Sequence, residues 1–480
     1  RDRSPSRGLG DVYKRQPQES CGVVGVYAPN EDVARLTFFA LFALQHRGQE
    51  SAGISVFDGN AIRSVTSMGL VAQAFKEEDL AKLSGSVAIG HTRYSTAGSS
   101  LLCNAQPIVI NGPNVDLALA HNGNVVNAVE LKKELELLGC HFSSTTDTEI
   151  IAHLLTNAPV SDWQQRIQYI MRRVHGAYSL TILTEDSLIA VRDPLGVRPL
   201  CVGTINGGWI VASESCALDN LGADLVRDIE PGEAIIINKD GLRTLHKSKE
   251  RRVASCIFEQ IYFARPDSLI DGKLTYSVRK SMGAQLAREH PIDADVVIGI
   301  PDSATAAAVG YAQESGIPYS EGLLKNRYVG RTFIEPDQRV RGLGVRLKFN
   351  TLPEVVEGKK LVVVDDSIVR GTTTPHVVNL LRKAGATEIH LRVCAPPIQH
   401  PCQLGVDMAS YDELIAANKT IQEIKNFVGA DSLGYLSVEG LVESVGGNGT
   451  NHCLGCFTGN HPVPVQLSMH KLALETTTQL

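Results

Sequence analysis

The amino-acid sequence predicts two domains of different class, a layered α+β domain followed by a doubly wound α/β sheet. Three observations carry that prediction. The first half holds many short apolar runs and only a few helical patterns, which suits layered sheets. After residues 239–252, a polar and basic stretch, the pattern changes to strand, loop, helix. Within this second half the run Leu361-Val362-Val363-Val364 is apolar on both faces, as a strand covered by helices on each side must be, and it ends in Asp365-Asp366. Open α/β sheets bind ligands at the carboxyl ends of their strands, so the loop after this run is the point around which the second half is organised.

The 480 residues allow two or three domains with full cores, and 43% hydrophobic with 20% charged residues is ordinary for a globular protein. No apolar run approaches the roughly 20 residues that a membrane-spanning helix needs. A formal charge of −6 and a pI near 6.2 provide no field for nucleic acid or an anionic membrane, so neither is expected as a partner. Anionic small molecules must then be met by local basic groups. Ten scattered cysteines without a secretory signal point to a reducing compartment, the cytoplasm, and to individual cysteine roles rather than a disulfide framework.

In chain order, residues 1–20 are polar and rich in arginine, with no apolar period; they are expected to be a leader, a propeptide or a tail foreign to the natural gene. Ordered structure is expected from Cys21, where Cys21-Gly-Val-Val-Gly-Val-Tyr27 reads as a buried strand. A helix follows over residues 32–44, with Val33, Leu36, Phe39 and Leu44 among its apolar positions. Three polar segments stand beside apolar strands: residues 45–53, residues 91–96, and His121-Asn-Gly-Asn124 after a strand at residues 117–120. Asn127 and Glu130 have the spacing of a capping box for a helix that Gly139 ends, and another helix is expected over residues 149–155. Strands are expected at residues 177–183, 188–192, 199–202 and 209–212. The basic stretch marks the boundary, which divides the chain into domains at residues 21–253 and 254–470 and a tail at residues 471–480. In the second domain, strands are expected at residues 295–300, 361–364 and 388–393, and the long basic segment at residues 325–348, with little apolar period, is expected to be a lid.

The loop after the central strand has the chemistry for a phosphorylated sugar. Asp365 and Asp366 suit the vicinal hydroxyls of a ribose or a hydrated Mg²⁺ beside it, while Ser367, Arg370, Gly371, Thr372 and Thr373 suit a 5′-phosphate. A helix opened by Pro375 and closed by Gly385 aims backbone N–H groups at the anion. The segment Val-Val-Val-Asp-Asp-Ser-Ile-Val-Arg-Gly-Thr-Thr resembles the signature of type I phosphoribosyltransferases, which use phosphoribosyl pyrophosphate (PRPP). The resemblance implies that Ser303, Asp365 and Asp366 neighbour Mg²⁺. It also implies that Asp302 and Ser303, in the strand end Pro301-Asp-Ser-Ala-Thr305, face the pyrophosphate. Lys325, Arg331 and Lys348 are the candidate lid contacts. Where relatives of this length continue with Ser, this chain has Thr374, which keeps the hydroxyl.

A cysteine in an apolar strand is by default a small core residue, and Cys21 alone would be read so. Its companions change that. Cys21-Gly-Val-Val-Gly, Gln45-His-Arg-Gly-Gln-Glu-Ser-Ala-Gly53, His91-Thr-Arg-Tyr-Ser-Thr96, His121-Asn-Gly-Asn124 and Thr146-Asp-Thr-Glu149 occur in the order seen in class II glutamine amidotransferases. This resemblance covers residues 21–250 and implies an N-terminal nucleophile hydrolase fold of αββα layers. It further implies that Cys21 becomes the first residue and attacks the glutamine amide. A thiol needs a base, and a free α-amine with a pKa of about 7.7 to 8.0 can serve as one near neutral pH. In the family's pattern the Asn122 side chain and the Gly123 N–H hold the oxyanion, Arg93 forks onto the α-carboxylate of glutamine, Asp147 pairs with its α-ammonium, and Arg47 with Gly48 shapes the pocket wall.

Cys453-Leu-Gly-Cys456 is the one Cys-x-x-Cys in the chain, compatible by itself with zinc, redox chemistry or chance. Taken together, a class II glutaminase followed by a PRPP loop resembles the amidophosphoribosyltransferase family, over about residues 19–460. In the branch of that family with a [4Fe–4S] cluster the ligands match Cys256, Cys402, Cys453 and Cys456, and the resemblance leaves Cys103, Cys140, Cys201, Cys216 and Cys394 as packing residues. It implies glutamine and PRPP as substrates, ammonia passed internally between two sites, purine nucleotides as feedback inhibitors, and a homotetramer. The alternatives are a different class II amidotransferase, or a regulator that senses PRPP on the same fold.

Overall fold

The computed structural model describes residues 21–94, 98–248, 252–326, 349–406, 408, 410–447, 451–463 and 474–475. The leader, Ser95, Thr96, Arg331, Lys348 and most of the expected lid lie outside them.

The first domain is two antiparallel sheets between helices. One sheet is built from β1 (Gly22–Tyr27), β2 (Ser51–Phe57), β3 (Ile62–Met68), β4 (Val87–Arg93), β9 (Cys201–Ile205), β10 (Gly208–Ala212) and β11 (Asp224–Asp228), in the order β11-β9-β10-β1-β4-β2-β3. The other contains β5 (Ile108–Asn111), β6 (Asp116–Val125), β7 (Gly176–Leu183), β8 (Leu188–Arg192), β12 (Glu233–Asn238) and β13 (Gly241–Lys247), in the order β13-β12-β8-β7-β6-β5. Side chains alternate across a strand, and β1 uses both faces. Val24 and Val26 pack with Leu41 and Leu44 of the helical segment around α1 (Val33–Ala43), whereas Val23 and Tyr27 enter the core between the sheets. Helices α2 (Ala128–Leu137), α3 (Asp147–Thr156) and α4 (Trp163–Arg173) cover the outer face of the second sheet through Leu131, Ile151 and Ile167. Three stacked cores thus make the αββα order. Asp32 caps α1 by accepting the Arg35 N–H at 3.0 Å.

Four expectations are corrected here. The strand expected at residues 117–120 does not end there: residues 121–124 continue β6, with His121 paired to Leu180 and Asn122 to Ser179. Of their polar side chains His121 lines a pocket, Asn122 is buried, and Asn124 donates to Gln403 O at 2.9 Å, so polarity gave a false signal of a strand end. The capping box does not form, because the Asn127 side chain donates to Arg173 O at 2.9 Å and accepts from His175 N at 3.0 Å. The strand expected at residues 199–202 begins later, at Cys201, once past Pro199, which cannot donate to a ladder. The basic stretch is also no linker for most of its length: β13 forms a tight hairpin with β12 and is the edge of its sheet, where charge protects an exposed strand.

The second domain is centred on a parallel sheet of β17 (Val296–Gly299), β20 (Lys360–Asp365), β21 (Glu388–Val393) and β22 (Ser432–Tyr435), in that order. Val297, Val362 and Val364 face one core with α5 (Thr275–Glu289), α6 (Thr305–Ser315) and α9 (Val438–Ser444); Ile298, Leu361 and Val363 face the other with α7 (Thr374–Lys383) and α8 (Ile421–Val428). Burial on both faces is why this sheet reads as continuous apolar runs. Helices α5 and α6 touch through backbone. A Cβ on Gly283 would lie 1.8 Å from Ala307 O, and one on Gly310 would lie 1.9 Å from Lys280 O. Smaller pairs complete the domain: β14 (Ser255–Cys256) with β23 (His452–Cys453), β15 (Leu269–Ile270) with β16 (Lys273–Leu274), and β18 (Leu323–Lys325) with β19 (Phe349–Thr351).

Candidate active sites

Antiparallel register builds the first site. Gly22 of β1 pairs with Thr92 of β4, so Cys21, one step before β1, meets the backbone of Tyr94, one step after β4. The Cys21 thiol donates to Tyr94 O at 3.2 Å, and Tyr94 N donates to the sulfur at 3.4 Å. Cys21, Arg93, Tyr94, Gln106, His121, Gly123, Thr146 and Asp147 line a pocket of about 10 Å³, room for roughly one water. Burial pushes the Cys21 thiol up to about 11, against the Tyr94 amide and the Arg93 charge. Among the described residues the side-chain nitrogen and oxygen of Asn122 are buried without a hydrogen-bond partner. Beside them, Gly123 has φ +153°, and a Cβ there would lie 1.9 Å from Ala177 O, so only glycine fits. Burial alone would raise the Asp147 carboxyl, but His121 beside it and the Val125 amide at 2.9 Å outweigh that and hold it low. Arg93 lies 2% exposed, its guanidinium donating to Ser99 O at 3.2 Å and Glu50 at 3.4 Å.

The structure does not bring Arg47 to this pocket. Its guanidinium is fully buried between Glu214 and Glu259. Gly48 stays near the site: a Cβ there would lie 2.6 Å from the carbonyl carbons of Thr92 and Arg93, so the loop at residues 45–48 packs directly on the strand end that carries Arg93.

The second site is an open cavity of about 330 Å³ at the carboxyl ends of β17 and β20. It is lined by Asp302, Ser303 and Lys325 on one side and by residues 365–374 on the other, so Asp365, Asp366, Ser367, Arg370, Gly371, Thr372 and Thr373 all reach it. Gly371 has φ +67°, the left-handed turn that folds the loop back on α7. Ser303 and Ser367 both donate to the Asp366 carboxylate. Burial raises the Asp366 carboxyl despite those donors and the Arg279 charge. A buried acidic pair with a hydroxyl beside it fits Mg²⁺, which is held through one or two carboxylates and completes its shell on substrate phosphates. Lys325 pairs with Asp302 across the mouth at 2.7 Å, and Arg370 with Glu413 at 2.8 Å. Among the lining residues that the sequence reading missed are Phe349, Arg279, the run at residues 262–266, and His46, which comes from the first domain.

Buried ion pairs join the two domains. Glu259 takes both Arg47 and Arg198, the latter at 3.1 Å, while Glu214 takes Arg47, His46 at 2.7 Å, the Arg265 amide at 2.8 Å and the Ser268 hydroxyl at 2.6 Å. Burial opposes the Glu214 charge, yet His46 and Arg47 hold its carboxyl well below the usual range. Nothing in the periodicity of the sequence signals these partners, because they are up to 212 residues apart.

Beside this junction the structure brings four cysteines to one place. Cys256 and Cys453 are register partners in the parallel pair β14 and β23, and Cys402 and Cys456 interact electrostatically with them. Cys394 instead lies under Asp365 and Asp366. Burial pushes the thiols of Cys256 and Cys453 up to about 12 and about 11, so as free thiols they stay protonated. Arg198, close to Cys256 and Cys402, supplies a balancing positive charge. Among the described residues no three His, Cys, Asp or Glu side chains close tightly enough to hold a single metal ion. Four thiols gathered in one place are the donor set that a [4Fe–4S] cluster takes. Of the other cysteines, Cys201, Cys216 and Cys394 are buried, whereas Cys103 is exposed rather than a packing residue.

The folds and sites together define a glutamine amidotransferase joined to a phosphoribosyl-transferring domain. Residues 91–220 match the glutamine amidotransferase domain family and residues 269–432 the phosphoribosyl transferase domain family. The chain is 49% identical over 478 residues to an amidophosphoribosyltransferase of Synechococcus elongatus, covering 98% of this chain and 97% of that one. It is 51% identical over 450 residues to one of Archaeoglobus fulgidus, covering 93% and 98%. Among solved structures it is similar to the glutamine PRPP amidotransferase of B. subtilis complexed with ADP and GMP, with a TM-score of 0.89, 44% identity, and coverage of 95% of this chain and 100% of that one. This chain belongs to the amidophosphoribosyltransferase family.

Proposed function

We propose that this chain converts glutamine, PRPP and water into 5-phosphoribosylamine, pyrophosphate and glutamate, the first committed step of purine synthesis. The observation that carries this is the presence in one molecule of a closed pocket around Cys21 and an acidic, hydroxyl-lined cavity, with His46 of the first domain reaching the second site. Cys21, exposed as the first residue, attacks the glutamine amide; its own α-amine takes the thiol proton. Asn122 and Gly123 hold the oxyanion as the thioester forms and ammonia leaves. Arg93 and Asp147 orient the two α-substituents of glutamine. Water then releases glutamate. Ammonia travels inside the protein to the second cavity and attacks C1 of the ribose, from which pyrophosphate departs.

In that cavity the loop at residues 367–373 holds the 5′-phosphate, and Asp302, Ser303 and Lys325 face the pyrophosphate. Ser303, Asp365 and Asp366 would hold Mg²⁺, which when bound supplies the charge that stabilises the leaving pyrophosphate. Cys256, Cys402, Cys453 and Cys456 would hold a [4Fe–4S] cluster, which ties the carboxyl-terminal segment to the junction and serves stability. Among the described residues no helix is long and apolar enough to cross a membrane; the cytoplasm is the proposed location, from the scattered, unpaired cysteines. A B. subtilis relative solved with ADP and GMP supports purine nucleotide binding here; feedback inhibition by those nucleotides and a homotetrameric assembly are proposed with it.

The test is pyrophosphate release from PRPP and Mg²⁺, on anaerobically purified protein whose amino terminus is checked by mass. Glutamine-dependent release confined to chains that begin at Cys21, with iron and acid-labile sulfide that vanish in Cys402→Ser, is the expected result. No release with glutamine or with ammonia would overturn the reading.

A further inference from the structure

The two described residues near the carboxyl terminus, Leu474 and Glu475, dock on the first domain, more than 300 residues away in sequence. Leu474 is 2% exposed and buried in the core under α2 to α4, and its carbonyl accepts from the buried Lys132 ammonium at 3.0 Å. This contact anchors the segment. Glu475 then places one carboxylate oxygen 2.8 Å from the Ser99 amide and 3.5 Å from the Thr145 hydroxyl.

These two acceptor contacts matter because of what each partner carries. Ser99 follows the strand that ends in Arg93, and its carbonyl accepts from Arg93 at 3.2 Å. Thr145 lies two residues before Asp147 at the start of α3. Asn104 links the same two segments, donating to Ser99 O at 2.9 Å and accepting from Thr145 N at 2.9 Å. The segment that positions Arg93 and the segment that presents Asp147 are therefore joined twice, by Asn104 from within the domain and by Glu475 from the far end of the chain.

We infer that Glu475 is a positioning residue for glutamine, with its carboxylate clamping Ser99 and Thr145 so that Arg93 and Asp147 stand at the spacing of the two α-substituents. The inference rests on the reading of Arg93 and Asp147 as glutamine anchors. A hydrogen bond from an amide to a carboxylate is among the stronger kinds, and losing it loosens both segments before the substrate arrives. The effect belongs in glutamine affinity and not in the chemistry at Cys21 or in the second site.

The experiment uses the full chain, processed at Cys21, with Glu475→Ala, Glu475→Gln and, as a control, Arg93→Lys. Glu475→Ala should raise the KM for glutamine about tenfold with kcat unchanged, while ammonia-dependent synthesis keeps its wild-type rate. Glu475→Gln retains an acceptor for the Ser99 amide and should fall between the two. A lowered melting temperature in Glu475→Ala with an unaltered KM, alongside a raised KM in Arg93→Lys, would reduce the contact to a structural one and overturn the inference. An unaltered KM in Arg93→Lys would overturn the underlying assignment of the glutamine site, and the inference with it.

Discussion

The two candidate active sites differ in how they are made. The cavity of the second domain has about 330 Å³ of space and draws half of its polar lining side chains from one loop, residues 365–374, at the end of one strand. The pocket around Cys21 has about 10 Å³ and draws its lining from β4, from β6, from the start of α3 and from the residue before β1. One is open enough to admit a large anion; the other is a small chamber whose lining side chains are held in register by strands. The contrast accounts for the electrostatics as well. Burial is the largest influence on both Cys21 and Asp366, but Asp366 faces the larger, open cavity, whereas Cys21 lines the small pocket.

The comparison can be broken most severely at the second site. Asp366→Asn removes half of the acidic pair and should lower synthesis by about a hundredfold or more with ammonia and with glutamine alike, because both nitrogen sources meet the same ribose. Initial rates with each donor check this; a loss confined to glutamine would mean that Asp366 serves the first domain. A smaller effect sharpens the description of the first site. His91 is buried on β4, with its ring near His121 O, and burial lowers it from an ordinary 6.5 to about 3. Between those values the unfolded chain binds a proton that the folded chain does not, so His91 contributes nothing to pH dependence above pH 6.5 and costs stability as the pH falls below it. The slope is at most about 1.4 kcal/mol per pH unit. Denaturant midpoints of wild type and His91→Gln, compared from about pH 7 down to about pH 5, should diverge in that sense, the variant losing less.

The same contrast governs what the sequence discloses. The second site is legible because its parts are contiguous: an apolar strand, two acids, small hydroxylated residues, a left-handed glycine and a helix start follow one another from Leu361 to Thr374. Strands β20 and β21 and helix α7 lie within a residue or two of where the pattern sets them. The first site is legible only as motifs in order, since no periodicity says that Cys21 lies against Tyr94 or that residues 121–124 are strand. Arg47 is the instructive miss. A charged residue inside a motif reads as a ligand contact, yet burial between Glu214 and Glu259 makes it a tie between domains. Such ties, like the docking of Glu475 on Ser99, are tertiary facts whose partners lie hundreds of residues apart.

The most direct test of two sites in one chain is a donor comparison in Cys21→Ala. With PRPP and Mg²⁺ present, the account predicts that pyrophosphate release with glutamine disappears while release with ammonia persists near the wild-type rate. Equal loss with both donors, in a variant that still folds, would contradict it.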